Sequence, residues 1–222
     1  MEKIALVTGS SRGIGRAAVR KLAAAGYAVC INYRERQDCA DALVEELTAA
    51  GQRAMAVQAD VSVRQQVNDM VRRVEDAFGP VSLLVNNAGV MGEDKMFQMT
   101  SAEEMHHTFE VNFFAMVEVS RLATRLMARN KAGAVVNVAS IAGMDGDSRL
   151  DYSASKAAVI AASKKMAREL GSVGIRVNVL APGFTDTELV AGLSEKVVEQ
   201  QLSKILMRNL IVLTIEAAER TA

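Results

Sequence analysis

Short hydrophobic runs alternate with longer amphipathic segments along most of the chain, and this alternation restricts the fold more than any other feature. The runs, rich in β-branched residues, lie at 4–7, 28–32, 54–58, 83–85, 134–138 and 176–180. The segments between them have a helical period and lie at 13–25, 37–50, 63–78, 101–129 and 152–171. Strands that alternate with helices predict an α/β fold in which helices cover both faces of a parallel sheet. A chain of 222 residues can bury one sizeable core, so we expect one domain.

The segment 101–129 differs from the other helical segments because it is apolar almost all round. Its apolar residues include Val111, Phe113, Phe114, Met116, Val117, Val119, Leu122 and Leu126. A helix with this pattern is buried on more than one side. We therefore expect it to contact a second subunit as well as the sheet.

Composition excludes partners that a long-range electric field would attract. Lys plus Arg and Asp plus Glu each total 26, which favours neither nucleic acid nor an anionic membrane. Cys30 and Cys39 match neither a disulfide framework nor a metal-ligand spacing, which fits a reducing compartment without a metal site. No apolar run approaches the roughly 20 residues that cross a bilayer, and the first residues lack a signal-peptide core. We expect a soluble, cytoplasmic protein.

A glycine-rich turn follows the first hydrophobic run, and a helix begins inside it. The turn reads Thr8-Gly9-Ser10-Ser11-Arg12-Gly13-Ile14-Gly15. Its glycines permit a tight turn and let the backbone approach a pyrophosphate, whose charge suits the N-terminus of a helix. The spacing differs from G-x-G-x-x-G, and a plain strand-to-helix connection is the alternative.

The residues after the second run bear on which dinucleotide would bind. An acidic residue here would bond the 2′-hydroxyl of the adenosine ribose, and none is present at 32–34. Arg12 and Arg34 could instead hold a 2′-phosphate, which predicts NADP(H) in preference to NAD(H). The alternative for each arginine is an ordinary solvated charge.

Polar residues follow the later strands at the carboxyl edge of the predicted sheet, where open α/β sheets bind ligands. Asp60-Val61 follows the third run, Asn86-Asn87-Ala88-Gly89 closes the fourth, and Ser140 follows the fifth. Each of them could also be no more than a turn. Asn112 lies inside an apolar helix, where an amide needs partners, and a satisfied core asparagine is the alternative there.

Tyr152 and Lys156 lie four residues apart, so on a helix their side chains share one face. A tyrosine loses its proton near pH 10 in water, and a nearby ammonium group lowers that pKa. The pair is suited to proton transfer. An ordinary amphipathic helix start is the alternative.

Together these residues resemble the short-chain dehydrogenase/reductase family, and within it the 3-oxoacyl-carrier-protein-reductase-like branch of fatty acid biosynthesis. The matching pieces, in family order, are Thr8-Gly9-x-x-x-Gly13-x-Gly15, Asp60-Val61, Asn86-Asn87-Ala88-Gly89, Asn112, Ser140, Tyr152-x-x-x-Lys156, Arg176-Val177-Asn178 and Pro182-Gly183. The resemblance covers roughly residues 3–207. It implies a single Rossmann-type, doubly wound sheet of order 3-2-1-4-5-6, a nicotinamide cofactor and an Asn-Ser-Tyr-Lys tetrad.

The resemblance also implies a role for each member of the tetrad. Tyr152 would give a proton to the substrate carbonyl while Ser140 steadies the developing oxyanion. Lys156 would lower the pKa of Tyr152 and bind the nicotinamide ribose, and Asn112 would hold a water that links Lys156 to a proton relay. The implied cofactor contacts, besides Tyr152 and Lys156, are Gly9, Ser11, Arg12, Gly13, Ile14, Gly15, Arg34, Asp60, Val61, Asn87, Ala88, Gly89, Pro182, Gly183, Thr185 and Thr187.

The chain departs from the family pattern in two places. Ser140 precedes Tyr152 by one residue fewer than is usual, so the intervening loop must take a tighter path. After Met207 the usual turn, helix and last strand are not matched, which divides the domain into a dinucleotide-binding part at 1–207 and a divergent tail at 208–222. In the family, that helix and strand build one dimer interface of a tetramer. We therefore expect a homodimer through the helices at 101–129 and 152–171.

The expected activity is NADPH-dependent reduction of a ketone, such as a 3-oxoacyl thioester, to a secondary alcohol. Two alternatives are an NAD-dependent alcohol or sugar dehydrogenase and a dinucleotide-binding subunit with low activity. The substrate could meet an apolar wall or polar contacts. The apolar candidates are Met91, Met96, Phe97, Met99, Phe184, Leu189, Val190 and Leu193, and the polar ones are Asp145, Asp147 and Arg149.

Overall fold

The structure, a computed structural model, describes residues 2–93 and 95–183. Six strands form one sheet in the order β3-β2-β1-β4-β5-β6, and every pair of neighbours is parallel. The strands are β1 (Ile4–Val7), β2 (Ala28–Tyr33), β3 (Ala54–Gln58), β4 (Leu83–Asn86), β5 (Gly133–Val138) and β6 (Ile175–Leu180). The predicted α/β fold, its single doubly wound sheet and its strand order are confirmed.

The helices also lie close to the predicted segments. They are α1 (Gly13–Ala24), α2 (Gln37–Ala49), α3 (Arg64–Phe78), α4 (Ala102–Phe109), α5 (Ala115–Arg129), α6 (Ala142–Asp145) and α7 (Leu150–Leu170). A π-helical turn, Glu110–Phe114, joins α4 to α5 within the predicted helix at 101–129. Short 3₁₀ turns at Phe97–Met99 and Gly171–Val173, and the helix α6, were not predicted.

Strand β1 shows why its hydrophobic run is continuous rather than alternating. Ile4 and Leu6 point into a core that includes α3 and α5, whereas Ala5 and Val7 point into a core that includes α1 and α2. Successive side chains of a strand point to opposite faces, so a sheet covered on both faces needs apolar residues at every position. All four side chains are fully buried or nearly so.

Buried amides connect the sheet to α5 and α7. Asn86 at the end of β4 donates to Ser120 Oγ and to Asn137 Oδ1, both at 2.8 Å. Asn137 on β5 in turn donates to Ser163 Oγ of α7 at 2.8 Å. Because buried amides need partners, this row of four side chains sets the positions of two helices relative to β4 and β5.

The parallel arrangement brings the carboxyl ends of all six strands to one edge of the sheet, where a ligand site is expected. In the part of the chain that the structure describes, no helix is long and apolar enough to cross a membrane. Nor is any group of three or more His, Cys, Asp or Glu side chains in that part placed to hold a metal ion.

Candidate active site

The glycine-rich turn after β1 packs against the loop that follows β4. Gly9 and Gly13 have φ of +59° and +56°, a backbone conformation that glycine adopts without strain. A Cβ on Gly9 would lie 2.8 Å from Ala88 Cα, and one on Gly15 would lie 2.6 Å from Asn87 Nδ2. Close contact between the two loops therefore requires glycine at positions 9 and 15, whether or not a ligand also needs it.

Three side chains brace this turn, of which Asn87 was predicted as a site residue whereas Asn32 and Thr8 were not. Asn32 Oδ1 accepts the N–H of Gly9 at 3.0 Å, and Thr8 Oγ1 accepts the N–H groups of Asn87 and Ala88 at 2.9 and 3.1 Å. Asn87 donates its own amide to the carbonyl oxygens of Thr8 and Gly9, each at 2.9 Å. The turn is thus held in shape before any ligand binds. A buried amide at the end of a strand, Asn32, is the feature that could have indicated it.

The N-terminus of α1 fits the phosphates of a dinucleotide. No side chain caps α1, and its first turn contains no acidic residue. The free N–H groups of a first helical turn attract an anion. Ser11 is buried, Ile14 is half-buried, and Arg12 occupies the N-cap position. The predicted phosphate-binding residues therefore lie together around one helix end.

The predicted adenosine contacts lie beside β2 and β3. The Arg34 guanidinium is half-exposed and lies 2.6 Å from Glu35. Burial alone would raise the pKa of Asp60, but hydrogen bonds from Ser62 and the nearby charge of Arg34 hold that pKa below its usual range. Val61 is buried. A cleft of about 540 Å³ opens here, and its lining includes Arg34 and Asp60.

Asn112 lies in the π-helical turn, and its amide is fully engaged. Its Oδ1 accepts the N–H of Val90 at 2.8 Å, while its Nδ2 donates to Val90 O at 2.9 Å and to Ser155 Oγ at 3.1 Å. The side chain thus joins the loop after β4 to α7, as a satisfied core asparagine would. A Cβ on Gly89 would be 3.2 Å from Asn112 Oδ1 and 3.4 Å from Lys156 Nζ, so both groups lie over this glycine. The proton-relay role of Asn112 stays a prediction.

Ser140 and Tyr152 come together as predicted, despite the shortened loop between them. The Ser140 side chain lies near enough to Tyr152 to offset part of the rise that burial causes in the pKa of its phenol. Helix α6 takes up the intervening chain and ends at Gly146, which has φ of +75°. Close packing of α6 against α7 depends on Gly143, because a Cβ there would lie 2.7 Å from the backbone at Lys156.

Lys156 lies on the same helical face as Tyr152, with its Nζ 5.8 Å from the centre of the tyrosine ring. The ammonium donates to Val138 O at 2.9 Å. Burial lowers the pKa of Lys156 to about 8. Burial also raises the pKa of Tyr152, and the nearby Ser140 side chain only partly offsets this. The role of Lys156 in lowering the pKa of Tyr152 stays a prediction.

Among the polar candidates for a substrate contact, Arg149 lies inside the protein. Its side chain is buried and forms an ion pair with Asp151 at 2.9 Å. Asp145 and Asp147 are exposed. Of the predicted apolar wall, Met96, Phe97 and Met99 are each more than 60% exposed, and Met91 is half-buried.

The segment after β6 reaches the loop that carries Ser140. Pro182 O accepts the N–H of Ile141 at 3.0 Å, and a Cβ on Gly183 would lie 3.5 Å from Ile141 Cδ1. Both residues therefore border the site. Thr185, Thr187, the apolar candidates from Phe184 to Leu193 and the tail at 208–222 lie outside the described residues.

Comparisons with known proteins relate nearly the whole chain to one family. The family model described as short chain dehydrogenase matches residues 3–198. The 3-oxoacyl-[acyl-carrier-protein] reductase FabG of Staphylococcus epidermidis is 39% identical over 210 residues, which cover 94% of this chain and 86% of the relative. FabG of Escherichia coli strain K12 is 37% identical over 194 residues, which cover 87% and 78%.

The architecture has a similar match among solved structures. The crystal structure of a dehydrogenase/reductase from Sinorhizobium meliloti 1021 superposes with a TM-score of 0.87 at 33% sequence identity. The match covers 94% of this chain and 82% of that chain. Sequence and fold comparisons therefore agree.

Proposed function

Because the chain belongs to the short-chain dehydrogenase family, we propose that it reduces a ketone to a secondary alcohol with NADPH, using Tyr152 as the proton donor. Membership makes the protein an oxidoreductase that acts on CH–OH or C=O groups with a nicotinamide dinucleotide. The observation that carries the proposal is the proximity of Ser140 to the buried Tyr152, with the buried Lys156 one helical turn away.

The cofactor would act on the carbon of the reacting carbonyl, and two side chains of the protein act on its oxygen. The nicotinamide, when bound, supplies a hydride for the carbonyl carbon. The Tyr152 hydroxyl gives its proton to the carbonyl oxygen, and the Ser140 hydroxyl donates a hydrogen bond to the same oxygen as negative charge develops there. A phenol with a raised pKa is fully protonated at neutral pH, so it enters the reaction as an acid.

The chain's own groups would hold the dinucleotide along the carboxyl edge of the sheet. Backbone N–H groups of the glycine-rich turn and α1 bind its phosphates, and Lys156 binds the nicotinamide ribose. Asp60 and Val61 lie at the adenosine end, and Asn87 to Gly89 lie between the two ends. The dinucleotide-binding part is proposed to extend over 1–207, with Thr185 and Thr187 completing the nicotinamide side and 208–222 as its divergent tail.

We place the 2′-phosphate of NADPH at Arg34, with Arg12 as a second contact. Arg34 is exposed and already paired with Glu35, so on binding the 2′-phosphate Arg34 would exchange one anionic partner for another. A charge-assisted contact is worth about 1.5 to 3 kcal/mol, and we expect the low end of that range, about tenfold in affinity. Titration with NADPH and NADH should show tighter NADPH binding that Arg34→Ala largely abolishes.

The matched control for this test is Arg36→Ala. Arg36 is also half-exposed and paired with a neighbouring carboxylate, Asp38 at 3.0 Å. Loss of the Arg36 side chain should leave the affinities for NADPH and for NADH unchanged. Equal affinity of the wild-type protein for the two cofactors would refute the preference and favour the NAD-dependent alternative.

The substrate we favour is a 3-oxoacyl thioester. The FabG relatives carry the name 3-oxoacyl-[acyl-carrier-protein] reductase, and Met96, Phe97 and Met99 present an exposed apolar wall suited to an acyl chain. NADPH oxidation should be measured with acetoacetyl-CoA, quinones and sugar ketones in parallel. We expect the highest kcat/KM for the thioester. Tight NADPH binding without turnover of any ketone would favour the low-activity subunit.

A further inference from the structure

A buried ion pair lies at the start of α7, next to the proposed proton donor. Arg149 donates from Nε to Asp151 Oδ1 at 2.9 Å and from Nη2 to Asp151 Oδ2 at 3.1 Å. The two side chains are only 3% and 0% exposed. Removal of two charges from water is costly, and apolar residues of similar volume often stabilise a fold equally well. Stability alone therefore does not account for the pair.

Two further hydrogen bonds connect this pair to other elements. Thr108 Oγ1 in α4 donates to Asp151 Oδ2 at 2.6 Å. Arg149 Nη1 donates to the carbonyl oxygen of Glu93, in the loop after β4. The pair thus joins α4, α7 and the loop that begins with the Asn-Asn-Ala-Gly segment.

The loop after β4 is shaped to receive the guanidinium. Gly92 has φ of +72°, and a Cβ there would lie 2.9 Å from Arg149 Nη1. The loop is held a second time by Lys95, whose Nζ lies 2.8 Å from Glu104 Oε1 in α4. The first attachment joins the loop to the start of α7, and the second joins it to α4.

The same pair holds the helical turn that carries Tyr152. Asp151 directly precedes Tyr152 in the first turn of α7, and the N–H of Ser153 donates to Arg149 O at 2.9 Å. Arg149 is the N-cap residue of α7, and its side chain makes no capping hydrogen bond. The first turn of α7 is therefore held by the Arg149–Asp151 ion pair and not by a side-chain cap.

We propose that Arg149 and Asp151 are positioning residues, which hold Tyr152 at a set place relative to the loop at 89–93 without contacting the substrate. The inference rests on the proposed role of Tyr152. Breaking the pair should move the tyrosine hydroxyl relative to the carbonyl it protonates, and so should lower kcat far more than it changes cofactor affinity.

The double variant Arg149→Met/Asp151→Leu tests this, because it keeps an apolar volume and leaves no buried charge. With acetoacetyl-CoA as the probe, kcat should fall by about tenfold to 100-fold, the scale expected of a small misplacement, with little change in KM or in NADPH affinity. The chain has three tyrosines, so the Cζ resonance of Tyr152 in ¹³C-tyrosine-labelled protein can be assigned by its loss in Tyr152→Phe. That resonance should shift in the double variant.

Single variants and a control show whether the pair acts as a unit. Asp151→Asn and Arg149→Lys should each lower kcat about as much as the double variant, since residues in one network are not additive. The control is Glu169→Gln, which breaks the exposed pair of Glu169 with Lys165 at 2.7 Å on the same helix. It should leave kcat and the Tyr152 resonance unchanged.

A folded double variant with wild-type kcat and an unmoved Tyr152 resonance would overturn the proposal. If the double variant does not fold, Arg149→Lys decides by the same two readouts, because it keeps the buried charge and loses only the forked contact. If the wild-type protein reduces no ketone but the resonance shifts when the pair is broken, the positioning stands and the proposed function fails.

Discussion

Tyr152 is buried beside Ser140, and its hydroxyl is the proposed proton donor, so removal of one oxygen atom tests the proposed chemistry. Tyr152→Phe should reduce turnover by about 100-fold or more, the scale of general acid catalysis, and leave NADPH affinity nearly unchanged. Steady-state NADPH oxidation and a fluorescence titration measure the two effects. Tyr27→Phe is the control, because Tyr27 precedes β2 at the opposite edge of the sheet. A wild-type turnover rate in Tyr152→Phe would contradict the proposed mechanism.

Lys156 should make cofactor binding depend on pH. Burial depresses its pKa from the usual value near 10.5 to about 8, so the free protein loses this positive charge as the pH rises through about 8. Below pH 7 the ammonium is fully present and NADPH affinity should be constant, whereas above pH 8 the affinity should weaken progressively. Titrations from pH 6.5 to 9.5 measure this. Lys156→Met should bind more weakly and without the pH dependence, and a flat wild-type profile would contradict the assignment.

Sequence patterns predicted those site residues whose partners lie nearby in a short motif. Tyr152 and Lys156 share a helical face because of their spacing, which a sequence shows directly. The bracing of Gly9 by Asn32, and the hydrogen bond from Arg149 to the carbonyl oxygen of Glu93, depend on residues that the sheet and loops bring together from distant positions. No local pattern encodes such contacts. The burial of Arg149, a candidate for a polar contact with the substrate, was not predicted for the same reason.

At the scale of elements, the glycine-rich turn packs so closely against the loop after β4 that an added methyl group should lower the stability of the fold. Gly15→Ala would place a Cβ 2.6 Å from Asn87 Nδ2 and 2.8 Å from Ser10 Cα. Overpacking of this kind typically destabilises by about 1 to 3 kcal/mol, and it should also weaken NADPH binding because the turn must shift. Urea unfolding and cofactor titration measure both effects.

The control for that change is Gly171→Ala at the end of α7. A Cβ there would meet no atom within 4 Å, and the backbone φ is −58°. Alanine should therefore be neutral or slightly stabilising. Equal stability of the two variants would show that the turn accommodates the added methyl group and that close packing does not require Gly15.

Hydrophobic periodicity predicted the strands and long helices well because both faces of this sheet are covered, so the strands consist mostly of apolar residues. It did not predict the π-helical turn at Glu110–Phe114 or helix α6. The π-helical turn keeps the apolar pattern of the helix on either side of it, and α6 has only four residues. Elements that short or that subtle leave no periodic signal of their own.

At the scale of the whole molecule, the order of the strands followed from the resemblance to a family and not from periodicity, which cannot choose among strand orders. The resemblance was weakest beyond residue 207, and that segment lies outside the described residues. Its consequence for assembly therefore has to be tested in solution.

We predict a homodimer that forms through the helices at 101–129 and 152–171. Phe114 and Val117 are apolar residues one turn apart on the segment 101–129, they are 52% and 37% exposed, and a partner subunit would cover them. Light scattering should give the mass of a dimer for the wild-type protein and of a monomer for Phe114→Glu/Val117→Glu. Met96→Glu, which changes a residue that is 69% exposed in the loop after β4, should leave the dimer intact. A stable wild-type tetramer would show that a second interface forms, and a wild-type monomer would remove the case for this helix as an interface.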